Sequence, residues 1–311
     1  MIVASAPAKV ILFGEHAVVY GQPAIAVPVS SLRATATVES NSPGEKGLRI
    51  IAVDLNEVLP IDLESSIVDN ALAITARLVL QRLHTPPPDV TIQLESHIPM
   101  ASGLGSGAAV STALARALSA VVQQPLDEAA LNHLIYEVEK MHHGTPSGID
   151  NTVVVYERPV YFIRNHPVET IRIATPFTLL IADTGHTALT RIAVGGVRKL
   201  YEADPVAVDR LLQQIGDITV QARQLIESGS LSELGVLMNR NHELLQRLTV
   251  SSAELDRLVE VALETGALGA KLSGGGRGGN MIALVGPDIA EQVKESLRGA
   301  GAVRIFETTV G

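Results

Sequence analysis

The sequence of 311 residues contains no cysteine and no tryptophan, and aromatic residues make up only 3% of it. Without cysteine, the chain can form no disulfide, no thiolate metal site and no cysteine nucleophile. The absence also fits a reducing compartment. Because aromatic side chains are scarce, aliphatic residues must fill most of the core. The hydrophobic fraction of 46% is large enough for a sizeable core and argues against global disorder.

Positive charge is also scarce, since 24 Lys and Arg residues stand against 33 Asp and Glu residues and give a net charge of −9. A nucleic-acid surface needs clustered Lys and Arg, so we expect no nucleic-acid partner. No run of about 18 apolar residues is present that could span a membrane. The first residues lack the basic region of a signal peptide, and Lys9 interrupts their apolar stretch. We therefore expect a soluble cytoplasmic protein that acts on small molecules and has no membrane partner.

The length and the order of the patterns predict two domains of α+β class, each with a mostly antiparallel sheet and helices on one face. The polar segment 164–170 is the predicted linker, which gives domains at 1–168 and 169–311. Residues 153–156 and 160–163 predict a β-hairpin before this linker. After it, helical spacing of apolar residues predicts four helices, at 190–203, 205–228, 231–248 and 252–265.

A glycine-rich turn at residues 100–111 (MASGLGSGAAVS) follows a predicted strand and leads into an alanine-rich helix. Gly103, Gly105 and Gly107 allow close backbone approach, and the helix that follows presents unpaired N–H groups and a positive dipole end. Such a turn suits nucleotide phosphates. It could equally be a plain strand-to-helix turn with a serine cap.

Neither of two known phosphate loops matches this turn fully. A Walker A loop needs Gly-Lys followed by Ser or Thr, and the turn has no lysine. The dinucleotide pattern fits Gly103, Gly105 and Ala108, but the acidic residue expected on a second strand about 20 residues later is missing. Neither interpretation is favoured.

Three further segments carry polar residues in unusual settings. Lys9 precedes an apolar strand that Glu15 and His16 follow, so these side chains could line a pocket or simply be solvated. Asp150, on a Gly/Pro-rich loop, could be a general base, a metal ligand or a turn residue. Residues 271–279 contain five glycines in nine positions and could cover a phosphate or form a flexible hairpin tip.

The neighbouring His142–His143 pair could suggest a metal site. No third ligand occurs at a suitable spacing, so the sequence does not favour a histidine metal centre.

Taken in order, the segments 6–16, 99–109 and 272–279 resemble the three motifs of the galactokinase–homoserine kinase–mevalonate kinase–phosphomevalonate kinase (GHMP) superfamily. Within it, KVILFGEHAVVYG and HHGTPSGIDN are most similar to the mevalonate kinases. Galactokinases carry a different first motif, and homoserine kinases lack its Gly-Glu-His triplet.

The resemblance implies a two-domain GHMP kinase fold, with an N-terminal half like the second domain of ribosomal protein S5 and a ferredoxin-like C-terminal half. It implies ATP and Mg²⁺ as cofactors and transfer of the γ-phosphoryl group to the 5-hydroxyl of (R)-mevalonate, in isoprenoid synthesis. A homodimer is common in the family.

The family's motifs also assign roles to residues of this chain. They place the catalytic aspartate at Asp150, the catalytic lysine at Lys9 and a magnesium-binding glutamate at Glu139. The substrate would be bound by Lys9, Glu15, His16, Asp150, Thr190 and Gly275. The nucleotide would be bound by the loop Pro99, Met100, Ala101, Ser102, Gly103, Leu104, Gly105, Ser106, Gly107, Ala108 and Ala109.

One position departs from the family pattern. The family has two consecutive serines in this loop, and the second binds magnesium, whereas this chain has Gly107 there. Ser106 is the predicted replacement ligand, with Ser111 or water as alternatives, because octahedral magnesium tolerates several water ligands. The other alternative is that this chain binds magnesium more weakly.

Three other activities remain open on the residues alone. They are phosphorylation of another small alcohol or of phosphomevalonate, an ATP-dependent decarboxylation, and metabolite binding without catalysis. Decarboxylase-like relatives usually lack the Gly-Glu-His turn and the lysine at position 9, and both are present here.

Overall fold

The structure is a computed structural model that describes residues 2–42, 44–55, 57–60, 70–100, 102–143, 146–186 and 190–311. The chain folds into two compact units. Unit 1 consists of Met1–Ala8, Leu32–Pro99 and Gly105–Glu157, and unit 2 of Lys9–Ser31, Met100–Leu104 and Arg158–Gly311. The units exchange segments along the chain, and the predicted domain bounds 1–168 and 169–311 stay a prediction.

In its described residues, unit 1 combines a sheet with four helices, and the first two strands also contribute residues to unit 2. The strands are β1 (Ile2–Phe13), β2 (Ala24–Ser40), β3 (Arg49–Ala52), β4 (Glu57–Pro60) and β5 (Val90–Ser96). The helices are α1 (Ala71–Leu83), α2 (Ser106–Val121), α3 (Glu128–His143) and α4 (Ile149–Tyr156).

The sheet of unit 1 runs in the order β4-β3-β5-β2, and β1 pairs with β2. β5 lies antiparallel to β2, with Ala34 opposite Ser96, but parallel to β3. β3 and β4 are also antiparallel, so the prediction of a mostly antiparallel sheet holds for two of these three strand pairs.

A charged cluster fixes helices α2 and α4 relative to the first strand. Arg116 of α2 donates hydrogen bonds to the carbonyls of Ser5, at 2.7 Å, and Val155, at 2.8 Å, and forms an ion pair with Glu157. Arg33 binds the other oxygen of Glu157 at 2.9 Å. The guanidinium thus satisfies carbonyls from two elements, and the two helices that carry predicted site residues acquire a defined relative position.

Unit 2 contains a four-stranded antiparallel sheet in the order β11-β8-β10-β9, with helices that pack against it. Its strands are β6 (Val160–Phe162), β7 (Glu169–Thr170), β8 (Phe177–Asp183), β9 (Gly269–Ser273), β10 (Asn280–Val285) and β11 (Arg304–Val310). Its helices are α5 (Thr190–Ala203), α6 (Pro205–Ser228), α7 (Leu231–Arg247), α8 (Ala253–Glu264) and α9 (Ala290–Gly299). In the same unit, residues 24–26 of β2 pair with β6, which in turn pairs with β7.

The four helices predicted in the second half of the chain are confirmed as α5 to α8, with ends within one residue of the prediction. The predicted hairpin is wrong, because residues 153–156 belong to helix α4 and only 160–162 form a strand. A run of three valines has the composition of a strand. Here all three are buried within a short helix that begins after Gly148, so packing overrides propensity.

The predicted linker needs correction, and two short strands lack a signal in the sequence. The predicted linker 164–170 contains strand β7, whose residues pair with β6. Strands β3 and β4 were not predicted, since each is only four residues long. Among the helices in the described part of the chain, none combines the length and apolarity needed to cross a bilayer.

Helix α7 approaches strand β9 closely at a pair of glycines. A Cβ atom on Gly235 would collide with the backbone of Leu268, and one on Gly269 with the backbone of Gly235. Gly235→Ala should therefore push α7 off the sheet and lower the free energy of unfolding by about 1–3 kcal/mol, measured by urea denaturation.

Gly195→Ala in helix α5 is the matched control. A Cβ there meets no atom of another described element within 4 Å. Alanine should therefore leave stability unchanged or raise it by up to about 1 kcal/mol through helix propensity. Equal effects of the two substitutions would contradict the close approach at Gly235.

Candidate active site

Three predicted motif segments come together within unit 2. The backbone N–H of Lys9 donates to the carbonyl of Leu104 at 3.0 Å. Ser273 donates through Oγ to the carbonyl of Ile11 at 2.8 Å, and Asn280 donates through Nδ2 to the carbonyl of Ser102 at 2.5 Å. The end of β1, the glycine turn and the β9–β10 connection therefore form one hydrogen-bonded cluster, although they are far apart in the sequence.

The turn after β1 depends on two residues with positive φ. Gly14 has φ 92°, and a Cβ there would collide with the backbone of Pro23 and Ala24. His16 follows with φ 61° and ψ −44°, and the N–H of Ala17 donates to the carbonyl of Glu15 at 2.6 Å, which makes a three-residue turn centred on His16. The turn reverses the chain directly behind the strand and brings Glu15 and His16 into the interior.

Glu15 forms an ion pair with Lys271 of β9, and both side chains are fully buried. Lys271 also donates to the carbonyl of Leu272 at 2.7 Å. Burial raises the pKa of Glu15 and lowers the pKa of Lys271, and in each case the charge of the partner opposes the shift. Each of the two residues therefore needs the charge of the other to remain ionised in the interior.

His16 is buried and neutral at physiological pH. Its Nε2 lies 2.9 Å from the carbonyl of Gly275, which can only accept, so Nε2 carries the hydrogen. Burial lowers the pKa of His16 to about 4, and the positive charges of Arg277 and Lys271 add to this effect. The hydrogen bond fixes the tautomer and leaves Nδ1 as the unprotonated nitrogen.

The loop after β9 is held in place by its backbone rather than being a flexible tip. Positive φ occurs at four of its glycines and at Arg277, whose N–H donates to the carbonyl of Val250 at 2.7 Å. A Cβ on Gly276 would collide with that same carbonyl. At the other end, the N–H of Gly279 donates to the carbonyl of His186 at 2.8 Å.

In unit 1, the helix that follows the glycine turn begins with N–H groups that form no bond within the helix. Gly105 caps α2 in the left-handed conformation, and the first intrahelical bond runs from Ala109 N–H to its carbonyl at 2.9 Å. The N–H groups of Ser106, Gly107 and Ala108 precede this bond and so have no partner in the helix itself. This arrangement suits an anion such as a phosphate.

The position of the missing serine lies beside the predicted magnesium-binding glutamate. A Cβ on Gly107 would stand 3.5 Å from Oε1 of Glu139. Glu139 is only 8% exposed, on helix α3. A carboxylate is the kind of oxygen ligand that magnesium prefers, and magnesium can keep several waters besides it.

Ser111, the alternative magnesium ligand, lies apart from the start of helix α2. Ser111 lies inside helix α2, 1% exposed and more than a full turn beyond Ser106. Within the described ranges, no group of three His, Asp or Glu side chains is arranged to hold a metal.

Asp150 is the second residue of α4, which begins directly after Gly148. That glycine has φ 92°. The neighbours of Asp150 fix this first turn of the helix, because Thr152 donates to the carbonyl of Gly148 at 2.7 Å and Asn151 donates to Oδ1 of Asn132 at 2.6 Å. Asp150 belongs to unit 1, whereas Lys9 belongs to unit 2. Their predicted pairing stays a prediction.

The remaining predicted residues differ in exposure. Ser102 and Leu104 are buried and Met100 is 67% exposed. Ala101 lies outside the described residues, as does the side chain of Thr190, although the helix that begins there is described.

Sequence reasoning missed Lys271, because residues 271–279 were considered only for their glycines. The available signal is a lysine inside a strand whose neighbours, Ala270 and Leu272, are apolar. Lysine is rarely fully buried unless paired. A cation at such a position therefore indicates a buried acidic partner, but it does not identify Glu15.

Comparison with known proteins matches this arrangement to one family. The model for the GHMP kinases N terminal domain matches residues 70–158, and the model for GHMP kinases C terminal matches residues 222–303. The chain is 34% identical to a mevalonate kinase of Thermococcus sibiricus, over 98% of this chain and 95% of that protein. It is 35% identical to one of Pyrococcus furiosus, over 96% and 93%.

Solved structures agree with the sequence comparison. The crystal structure of the Methanococcus jannaschii mevalonate kinase is similar with a TM-score of 0.88, at 27% identity over 99% of this chain and 98% of that one. The L. major mevalonate kinase in complex with R-mevalonate gives a TM-score of 0.84, at 30% identity over 100% and 96%. The predicted resemblance and fold class are confirmed, and the chain belongs to the mevalonate kinase family of the GHMP kinases.

Proposed function

We propose that this chain transfers the γ-phosphoryl group of ATP to the 5-hydroxyl of (R)-mevalonate, giving 5-phosphomevalonate and ADP. Use of ATP follows from membership of a kinase family. The acceptor is supported by relatives named mevalonate kinase that match nearly the whole chain, one of them solved with R-mevalonate. The observation that carries the proposal is the cluster in which Lys9, Leu104 and Ser273 join the three motif segments.

The nucleotide is bound by the glycine turn. The amides at the start of α2 and the positive end of its dipole hold the phosphates. Glu139, with Ser106 or water, would hold Mg²⁺, which when bound offsets negative charge on the phosphate oxygens. Gly275 and its neighbours in the loop 274–279 supply further backbone near the turn, since a Cβ on Gly274 would stand 3.9 Å from the carbonyl of Gly103.

Phosphoryl transfer requires mainly position and charge stabilisation. The 5-hydroxyl oxygen forms a bond to the γ-phosphorus, and the bond between that phosphorus and the bridging oxygen of ADP breaks. Asp150 accepts the hydroxyl proton. Lys9 stabilises the negative charge that develops on the hydroxyl oxygen through its own positive charge. His16 and Thr190 bind the substrate, and the neutral state of His16 keeps it from adding a second charge.

We also propose that the enzyme works in the cytoplasm as a homodimer. The lack of cysteine agrees with a reducing compartment. The dimer rests on the resemblance to the family.

The acceptor is tested with purified protein, ATP and Mg²⁺ in a coupled assay of ADP release. We expect turnover with (R)-mevalonate that greatly exceeds turnover with phosphomevalonate, galactose or homoserine. Preference for another member of this panel would overturn the proposed substrate while leaving the kinase activity in place.

Asp150→Asn should lower kcat by about 10² to 10⁴, because a positioned base contributes about that much to the rate. Binding of ATP should persist, as measured by calorimetry. Asp127→Asn is the matched control, since Asp127 only caps helix α3 through a 2.7 Å bond from Ala130 N–H and asparagine caps equally well. Near-normal turnover of Asp150→Asn would show that another group takes the proton.

Gly107→Ser should lower the Mg²⁺ concentration needed for half-maximal activity and for calorimetric binding of the magnesium–nucleotide complex. The reason is that the new hydroxyl would stand next to Oε1 of Glu139. Gly107→Ala fills the same space without a ligand atom and should keep the wild-type dependence. Identical magnesium titrations for the serine and alanine variants would exclude this position from the metal site.

A further inference from the structure

A row of polar side chains crosses the four-stranded sheet of unit 2 at the end where the loop 274–279 joins β9 to β10. The row contains one residue from each strand: Arg304 of β11, Asp183 of β8, Asn280 of β10 and Ser273 of β9. Each member lies directly opposite the next in the strand register. Side chains of directly opposite residues lie on the same face of an antiparallel sheet, so the four form one continuous layer. All but Arg304 are buried.

One half of the polar row is satisfied within the row and the segment next to it. Arg304 donates to Oδ2 of Asp183 at 2.6 Å, and the N–H of Gly185 donates to Oδ1 of the same carboxylate at 2.8 Å. Both oxygens of Asp183 therefore have partners, and neither needs Asn280.

The other half of the row reaches out of the sheet to two motif segments. Ser273 donates through Oγ to the carbonyl of Ile11 at 2.8 Å, and Asn280 donates through Nδ2 to the carbonyl of Ser102 at 2.5 Å. Ser273 directly precedes the loop 274–279 and Asn280 directly follows it. The two ends of this hairpin loop thus hold the end of β1 with one side chain and the glycine turn with the other.

The amide of Asn280 is paired through only one of its two polar atoms. The carbonyl of Ser102 can only accept, so the amide nitrogen must face it. Oδ1 is buried and has no hydrogen-bond partner within the described part of the chain. A buried acceptor without a partner is destabilising, and leucine has the same branching without that cost. The unpaired oxygen therefore indicates that asparagine at this position serves the bond to the turn more than the stability of the sheet.

The glycine turn is held from outside on both sides of Gly103. The carbonyl of Leu104 accepts from the N–H of Lys9 at 3.0 Å, and the carbonyl of Ser102 accepts from Asn280. Gly103 itself has φ 82°, and glycine has more conformational freedom than any other residue. The bond from Asn280 is the one of these two contacts that a side chain makes. Its loss would leave the segment before Gly103 free to rotate.

We propose that Asn280 is a positioning residue for nucleotide binding, because its bond to Ser102 keeps the glycine turn in the conformation that receives the phosphates of ATP. A turn that is ordered before the ligand arrives avoids the entropy cost of ordering on binding. This inference rests on the proposed function in taking the turn as the nucleotide site, but it does not depend on which alcohol accepts the phosphoryl group.

The test is Asn280→Leu, with binding of Mg–ADP measured by calorimetry. We expect the Kd to rise at least about fivefold, the factor that corresponds to one ordinary hydrogen bond. The midpoint of urea denaturation should stay close to that of the wild type, because removal of the unpaired Oδ1 offsets the lost bond. In steady-state assays, the KM for ATP should rise by a similar factor, while the KM for (R)-mevalonate changes by no more than about twofold.

Two further variants separate positioning of the turn from general stability. Asn239→Leu is the matched control, since it removes another asparagine side chain that bonds the main chain of unit 2, through Oδ1 to the N–H of Ala270 at 2.8 Å. Its urea midpoint should fall, while its Kd for Mg–ADP should equal that of the wild type. Asn280→Ala removes the same bond as Asn280→Leu with a smaller side chain, so it covers the outcome in which leucine does not fit. Its Kd should also rise.

Two results would overturn the inference. One is a wild-type Kd for Mg–ADP in a folded variant at position 280, and the other is an equal rise of the Kd in Asn239→Leu, which would make general loosening the cause. Failure of the proposed substrate gives a different result. A wild type that binds Mg–ADP but does not turn over (R)-mevalonate would refute that substrate and leave the role of Asn280 in place.

Discussion

Unit 2 depends on a buried ion pair between residues that are 256 positions apart in the sequence. Glu15 lies in the turn after the first strand and Lys271 in β9, so their contact fixes the start of the chain against the C-terminal sheet. Neither charge is stable in the interior alone. The pair therefore contributes less to the free energy of unfolding than to the selection of one fold, because few other arrangements of the chain would pair both buried charges.

Main-chain groups complete what the ion pair begins. The carbonyls of Ile11, Ser102 and Leu104 each accept a bond from another motif segment. Such bonds do not depend on the side chain of the accepting residue, and they keep the backbone in place where glycines would otherwise allow it to move. A glycine-rich site is therefore rigid when its amides and carbonyls are paired from outside. The same glycines have no side chains, so a ligand can approach their backbone closely. The hydrogen bonds therefore provide the rigidity, and the missing side chains provide the access.

Much of this could be predicted from the sequence, and the failures have physical causes. Helices α5 to α8 repeat apolar residues over many turns, and this signal survives any tertiary arrangement. The strand prediction for residues 153–156 is wrong because three consecutive valines, all buried in a short helix, show no helical period of apolar and polar residues. The candidate site followed from motifs, but Lys271 did not, since an ion pair between distant residues leaves no local pattern.

The net charge of −9 raises the question of how such a chain binds a nucleotide that carries several negative charges. Charge at a distance is screened by salt within about 10 Å, so the surface acids act weakly on a buried site. Locally, backbone N–H groups at the start of α2 supply partial positive charge that does not appear in the composition. Within unit 2, the buried charge of Glu15 is compensated by the buried cation Lys271. Local pairs and backbone dipoles of this kind do not appear in the net charge, which is why the sign of the whole chain says little about the sign of its site.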